Sequence, residues 1–198
     1  MENRILITDS NEPALNIYLE GLYTFYNSEL SIGCFGETDG ITPPDEKCTM
    51  WAHFGGKHSG ACFIFDKNKL INEVEKKTRD YEKDMIVYNL DKLFLSSNNQ
   101  FLNKPYKEFL KDSKSSILFK KHVDWNCEKE FRIVVFEVTF EIPILSCLQE
   151  VAFGPEMDLE IEEACIILIN KHFNSEIKYG RMGYSGSGYL RPFRFFPK

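Results

Sequence analysis

Strongly apolar runs in this chain are short. The longest, Ala164 to Ile169, has six residues, far below the ~20 that a membrane-spanning helix needs. Each element must therefore be short and bury one side against another. With 198 residues, 43% hydrophobic and 14% aromatic, the chain has apolar mass for one sizeable core, and a single domain over residues 1–198 is expected. Glu2 and Arg4 stand where a secretion signal needs an apolar stretch, so a cytoplasmic protein away from membranes is expected. Its six cysteines are then read as reduced thiols rather than a disulfide framework.

The patterns alternate between strand and helix. Arg4 to Thr8 reads as a strand closed by the turn-rich Asp9 to Pro13, and Ala14 to Tyr26 carries enough Leu and Tyr for a helix or an extended arm. Leu30 to Phe35 is β-prone; Gly36 to Cys48, with Pro43 and Pro44, reads as a loop. Thr49 to Phe54 fits one helical turn, Gly55 to Gly60 a turn, Ala61 to Phe65 a buried strand, and Lys67 to Glu75 a helix on Leu70, Ile71 and Val74. A charged crossing then leads to a strand at Met85 to Tyr88. Leu90 to Leu95 and Tyr106 to Leu118 read as helices around a polar Ser96 to Asn103 loop. Arg132 to Phe140 alternates as a strand ended by Pro143, Leu148 to Phe153 is another, and extended structure resumes at Tyr179. Asp158 to Phe173 is the clearest helix, with an acidic first turn, Lys171 and His172 in the last, and an apolar set of Ile161, Ala164, Cys165, Leu168 and Ile169. The fold class is α+β, a mixed, mainly antiparallel sheet flanked by helices.

The net charge of −6 argues against a general nucleic-acid binder, but the charge is uneven. Lys171 to Lys198 holds six Lys and Arg against Glu176 alone, a local +5 that leaves −11 elsewhere. The basic, aromatic C-terminal segment (174–198) is read either as a hairpin packed by Tyr184, Tyr189, Phe193, Phe195 and Phe196, or as a surface for a phosphate-bearing ligand. Nucleic acid is not an expected partner except through that segment.

Three constellations could carry chemistry. Cys48, His53, His58 and Cys62 place two thiols and two imidazoles in 15 residues, a donor set that tetrahedral zinc accepts, although the spacing matches no closed zinc pattern. Glu128 and Glu130, two apart on extended chain, project to one side. They could orient a ribose hydroxyl and stabilise an oxocarbenium-like centre, or form an exposed charged edge. Trp51-Ala52-His53-Phe54, with His58 nearby, could present an imidazole as donor, acid or base, or hold a structural histidine. No G-x-S-x-G, Walker or G-x-G-x-x-G string is present.

Five motifs, in order, carry a resemblance: Ile32-Gly33-Cys34-Phe35-Gly36-Glu37; Met50-Trp51-Ala52-His53-Phe54; His58-x-Gly60-x-Cys62-x-x-Phe65-Asp66; Trp125-x-x-Glu128-x-Glu130-x-Arg132; and Val151-Ala152-Phe153-Gly154. With Asn11-Glu12-Pro13 as an Asn-Asp-Pro-like turn, the chain from Ile5 to Phe173 resembles the bacterial and phage domain-of-unknown-function family 2971. Its motif order is similar to that of ADP-ribosyltransferases, in which a Glu-x-Glu loop carries the catalytic acid. The resemblance implies NAD as a substrate, Glu130 as catalytic glutamate, Glu128 as its orienting partner, and His53 as a further catalytic residue. It implies Trp51, Cys34, Phe35 and Arg132 as residues lining the dinucleotide site. Two departures from the family are visible. Gly36 replaces the usual serine, and an additional first strand and helix that usually hold the dinucleotide precede the point where this sequence begins, so a protein partner supplying that strand is one expectation.

The expected function is an ADP-ribosyltransferase-like protein that cleaves or binds NAD, a toxin or phage-defence effector, with a small nucleotide as ligand. The alternatives are a non-catalytic ligand-sensing or protein-interaction module and a metal-dependent hydrolase built on the Cys/His set.

Overall fold

The computed structural model describes residues 12–38, 43–90, 102–137, 139–141, 144–173, 177–184 and 190–193. In chain order the elements are α1 (Glu12–Ser28), β1 (Ser31–Gly36), α2 (Cys48–His53), β2 (Ala61–Phe65), α3 (Lys67–Lys77), β3 (Tyr81–Met85), β4 (Val87–Asn89), α4 (Tyr106–Asp112), α5 (Lys114–Ile117), β5 (Lys120–His122), β6 (Glu130–Val135), β7 (Leu148–Phe153), α6 (Leu159–Phe173), β8 (Lys178–Tyr184) and β9 (Leu190–Phe193). Three-residue 3₁₀ turns at Pro44–Glu46 and Ile144–Ser146 and a six-residue one at Val123–Glu128 link them. The class is α+β with mixed, mainly antiparallel pairing, as the patterns predict, though spread over three sheets: β1-β6-β3, β2-β7-β8-β9 and β4-β5. Among the described strands only β7·β8 and β4·β5 run parallel. The chain divides into two compact units, residues 1–36 with 79–140 and residues 37–78 with 141–198.

In the first unit, α1 settles the choice between helix and arm. Pro13 lies in its first turn, where a missing N–H costs nothing. Tyr18, Leu22, Phe25 and Tyr26 recur at helical spacing, and the Tyr18 ring packs 5.0 Å from Tyr106 and 5.8 Å from Phe109 of α4. Leu22, Phe25 and Tyr26 reach a core of Ile86, Leu110, Leu118, Phe119, Val134 and Phe136. β6 is the central strand, and all six of its residues are buried. It begins two residues earlier than the alternation at Arg132 suggested and stops at Val135; Thr139, within the expected strand, has a left-handed φ of 66°. Apparent alternation is misleading where both faces of a strand are covered. The charged crossing before Met85 is itself strand: Glu82 to Asp84 lie in β3 on the edge of the sheet, where charge is a favourable guard. Lys114 pairs with Glu82 at 2.7 Å, and Lys107 and Lys111 of α4 both hold Asp80. The expected helix from Tyr106 to Leu118 is broken at Ser113 into α4 and α5.

In the second unit, Asp66 caps α3 by accepting from the Lys69 backbone N–H at 3.0 Å, and Lys67 pairs with Glu37 at 2.8 Å. β2 is an edge strand and is not buried, because its outer side has no neighbour among the described strands; Phe63 is exposed. The core joins Leu148, Val151 and Phe153 of β7 to Met157, Ile169 and Ile177. Helix α6 turns only part of its expected apolar set inward: Cys165 and Ile169, with Ile166 and Phe173, pack against the core, while Ile161, Ala164 and Leu168 face solvent. Arg181 of β8 fixes that rotation, donating to Glu162 at 2.5 Å and to the Met157 carbonyl at 2.6 Å. The antiparallel β8–β9 pair is the expected final hairpin, but Tyr184 is half exposed.

The expectations for Arg4 to Thr8, Leu90 to Leu95, Pro143, Tyr189, Phe195 and Phe196 lie outside the described residues, apart from Leu90 itself. No helix among the described residues is long and apolar enough to cross a membrane. Leu110, fully buried in the first core, tests this packing. Leu110→Ala is expected to cost about 2–5 kcal/mol of unfolding free energy by urea denaturation; a loss under ~1 kcal/mol would contradict its place in that core.

Candidate functional site

Four charged side chains of the first unit converge at the start of β6. The 3₁₀ turn Val123–Glu128 ends on Lys129, whose backbone is left-handed (φ 46°, ψ 54°). That single kink swings Glu128 and Glu130 onto one cation. Lys121 Nζ lies 2.6 Å from Glu128 Oε2 and 2.5 Å from Glu130 Oε2. Arg132 then donates through Nε to Glu130 Oε1 at 2.6 Å and through Nη1 to the Leu118 carbonyl at 2.5 Å. The carboxylates do meet, through a left-handed turn rather than on extended chain. They are not an exposed edge: Glu128 is 4% exposed, Glu130 3% and Arg132 7%.

Burying three of these charges costs several kcal/mol per ion unless each finds partners, and here, with the partly exposed Lys121, the two anions match two cations. Burial pushes the Glu130 acid up, but hydrogen bonds from Arg132, Lys121 and Cys34, with the guanidinium charge, outweigh it and hold the carboxyl at about 2. At Lys121, burial favours the neutral amine, and the two carboxylates more than reverse it, raising its pKa. Cys34, on β1 opposite Arg132, keeps part of its surface in water. Burial of the thiol, then its hydrogen bond to Glu130 and that group's negative charge, push it up to about 11. It is a thiol at neutral pH and a poor nucleophile.

Three members of this cluster carry no sequence signal. Lys121 sits on a three-residue strand. Tyr88 of β4 accepts the Glu130 backbone N–H at 2.8 Å, and Tyr26, at the end of α1, feels the charges of Arg132, Glu130 and Lys121. Phe35, opposite Phe131 in the β1–β6 register, is half-buried.

Trp51 and His53 belong to the second unit. Trp51 is a core residue, 2% exposed, packed with Ala152 and Met182 and flanked by Cys48 and Cys62. Its indole N–H is spent on the Asp45 carbonyl at 2.6 Å. His53 is exposed, its ring 6.3 Å from Phe54. The turn after it runs through three left-handed residues, Gly56, Lys57 and His58. The His58 carbonyl accepts the Glu156 N–H at 3.0 Å and lies so close to Gly154 that a Cβ there would collide with it. His58 Nδ1 is buried without a hydrogen-bond partner, and its ring lies 6.0 Å from Tyr184. Among the described residues no group of three or more His, Cys, Asp and Glu is arranged to hold a metal ion, so the Cys48, His53, His58 and Cys62 set is not assembled as ligands.

Two outcomes follow from the charge cluster. Glu130 titrates lower in the folded chain than its ordinary 4.5, so its stabilisation is complete above that value and is lost as pH falls from there towards 2. Thermal melts across this range should show a fall that Glu130→Gln flattens; parallel curves would contradict the ion pairs. Lys129 is left-handed, so Lys129→Gly is expected to be neutral or stabilising by up to ~1 kcal/mol, and Lys129→Val to destabilise by ~1–2 kcal/mol. Equal denaturation midpoints for the two variants would rule out that conformation.

Residues 50–133 match the model of a family described as a protein of unknown function, DUF2971. The match takes in Trp51, His53, the β2 strand with Asp66, and Trp125 through Arg132. No curated protein and no solved structure matches. Over that span, which holds three of the five motifs, the chain is similar to DUF2971; the motifs at Ile32 to Glu37 and Val151 to Gly154 fall outside it.

Proposed function

We propose that this chain is an ADP-ribosyltransferase-like protein that takes NAD as substrate at the Glu130 end of the β1–β6 pair. The observation that supports this reading is the register. β1, which carries Cys34, Phe35 and Gly36, runs antiparallel to β6 with Gly36 opposite Glu130 and Cys34 opposite Arg132, so two motifs about ninety residues apart are side by side. A carboxylate held ionised in a low-dielectric site is the group that stabilises positive charge developing at the ribose carbon. In the reaction the bond from that carbon to the nicotinamide nitrogen breaks and the electron pair leaves with nicotinamide. The acceptor, or water, bonds to the carbon and gives up a proton. Glu128 would hold a ribose hydroxyl once Lys121 moved aside. A role as a toxin or phage-defence effector belongs to this reading.

A second reading has its own observation. Both carboxylate oxygens of Glu130 are occupied by Lys121 and Arg132, and the residue is 3% exposed. Such a cluster also suits the frame of a non-catalytic ligand-sensing or protein-interaction module.

Thermal shift with NAD and with ADP-ribose separates the two. A ligand at 100 times its dissociation constant adds about 2.7 kcal/mol of stability. The transferase reading expects a clear shift for the native chain, and release of nicotinamide that Glu130→Gln abolishes. No shift at millimolar NAD would overturn it and leave the module reading.

A further inference from the structure

We propose that Lys121 is the positioning residue of the Glu128–Glu130 pair: its ammonium keeps two buried carboxylates ionised together, and without it they hold one proton between them. The inference concerns the cluster itself and stands whether or not NAD is the ligand.

Geometry sets the terms. Both carboxylates touch the same nitrogen, so their nearest oxygens are no more than about 5 Å apart. Like charges at that separation, out of water, do not ionise together unless a cation compensates them. The groups facing the pair from each neighbouring element are Lys121 of β5, Arg132 of β6, Cys34 of β1, Tyr26 of α1 and Tyr88 of β4. Burial and the nearby carboxylates keep the thiol and both phenols neutral at pH 7. The balance is therefore two anions against two cations, and removing Lys121 leaves one negative charge in excess.

The cations are not equivalent. Arg132 is anchored twice, on Glu130 Oε1 and on the Leu118 carbonyl, and is 7% exposed. The Lys121 side chain is 29% exposed, and β5 pairs only with β4 among the described strands. Lys121 is thus the cation with a route to solvent. As its ammonium withdraws, a proton from water takes its place on the pair, which then titrates as a unit beside Arg132.

The test is the protonation state of the pair in Lys121→Met and Lys121→Arg, followed by infrared absorption of protonated carboxyl groups. At pH 7 Lys121→Met is expected to show a buried carboxylic-acid band that the native chain and Lys121→Arg lack. Its titration midpoint should lie several pH units above that of the native pair, on the order of 3–5 for a buried carboxyl left without its cation, and Glu128→Gln in the Lys121→Met background should remove the band. A folded Lys121→Met chain with no such band at pH 7 overturns the proposal. If that variant does not fold, the native chain still decides it: carbon-13 NMR of glutamate carboxyls should show both members of the pair ionised at pH 5, and a protonated Glu128 or Glu130 there overturns it.

Discussion

The first unit is organised around one electrostatic requirement. Glu130 opens a strand that is buried along its whole length, so its charge is admissible only where cations are already in place. Arg132 supplies one from two residues along the same strand, bracing itself on a backbone carbonyl. Lys121 supplies the other from β5, and the left-handed Lys129 brings Glu128 under the same ammonium. None of these parts suffices alone: a buried carboxylate that loses one cation is left with an uncompensated charge. The turn, the short parallel pair β4–β5 and the start of β6 are therefore tied together by charge as much as by backbone bonds.

How much of this was readable depended on whether a signal was local. Leu70, Ile71 and Val74 at helical spacing marked α3 from its first residue, Lys67, and Leu148 to Phe153, a β-prone run ended by Gly154-Pro155, marked β7 at its true bounds. Strand β6 was placed but misjudged, because a strand covered on both faces resembles an alternating one when its polar members are paired inside. The inward face of α6 was only partly legible, for a related reason. Its apolar residues run nearly all the way round, and Arg181, from a different element, fixes which of them turn inward.

The cluster was half legible. Glu128-x-Glu130 followed by Arg132 is a compact string with an obvious chemical reading, but its burial was not. Burial is a property of β6 lying between β1 and β3, and Lys121 has no periodicity or motif to announce it. Trp51 shows the opposite case. An aromatic beside histidines and glycines looks like a binding residue, yet its indole is enclosed by Ala152 and Met182 and its one donor is used on Asp45. The residues around it serve that packing, and Gly154 fits beneath the His58 carbonyl because it lacks a Cβ.

The way the units are threaded has a consequence for synthesis. Each is made of two stretches of chain, and the stretches interleave. β1 leaves the ribosome almost a hundred residues before its partner β6, and β2 waits about as long for β7. Neither sheet can close early, and although the first unit is complete by residue 140, residues 37–78 of the second are then already out without the rest of their unit. During that interval the edge sequence Ala-Cys-Phe-Ile-Phe of β2, which has no charge or proline, must wait unpaired. A chaperone that binds extended apolar segments would find a target there.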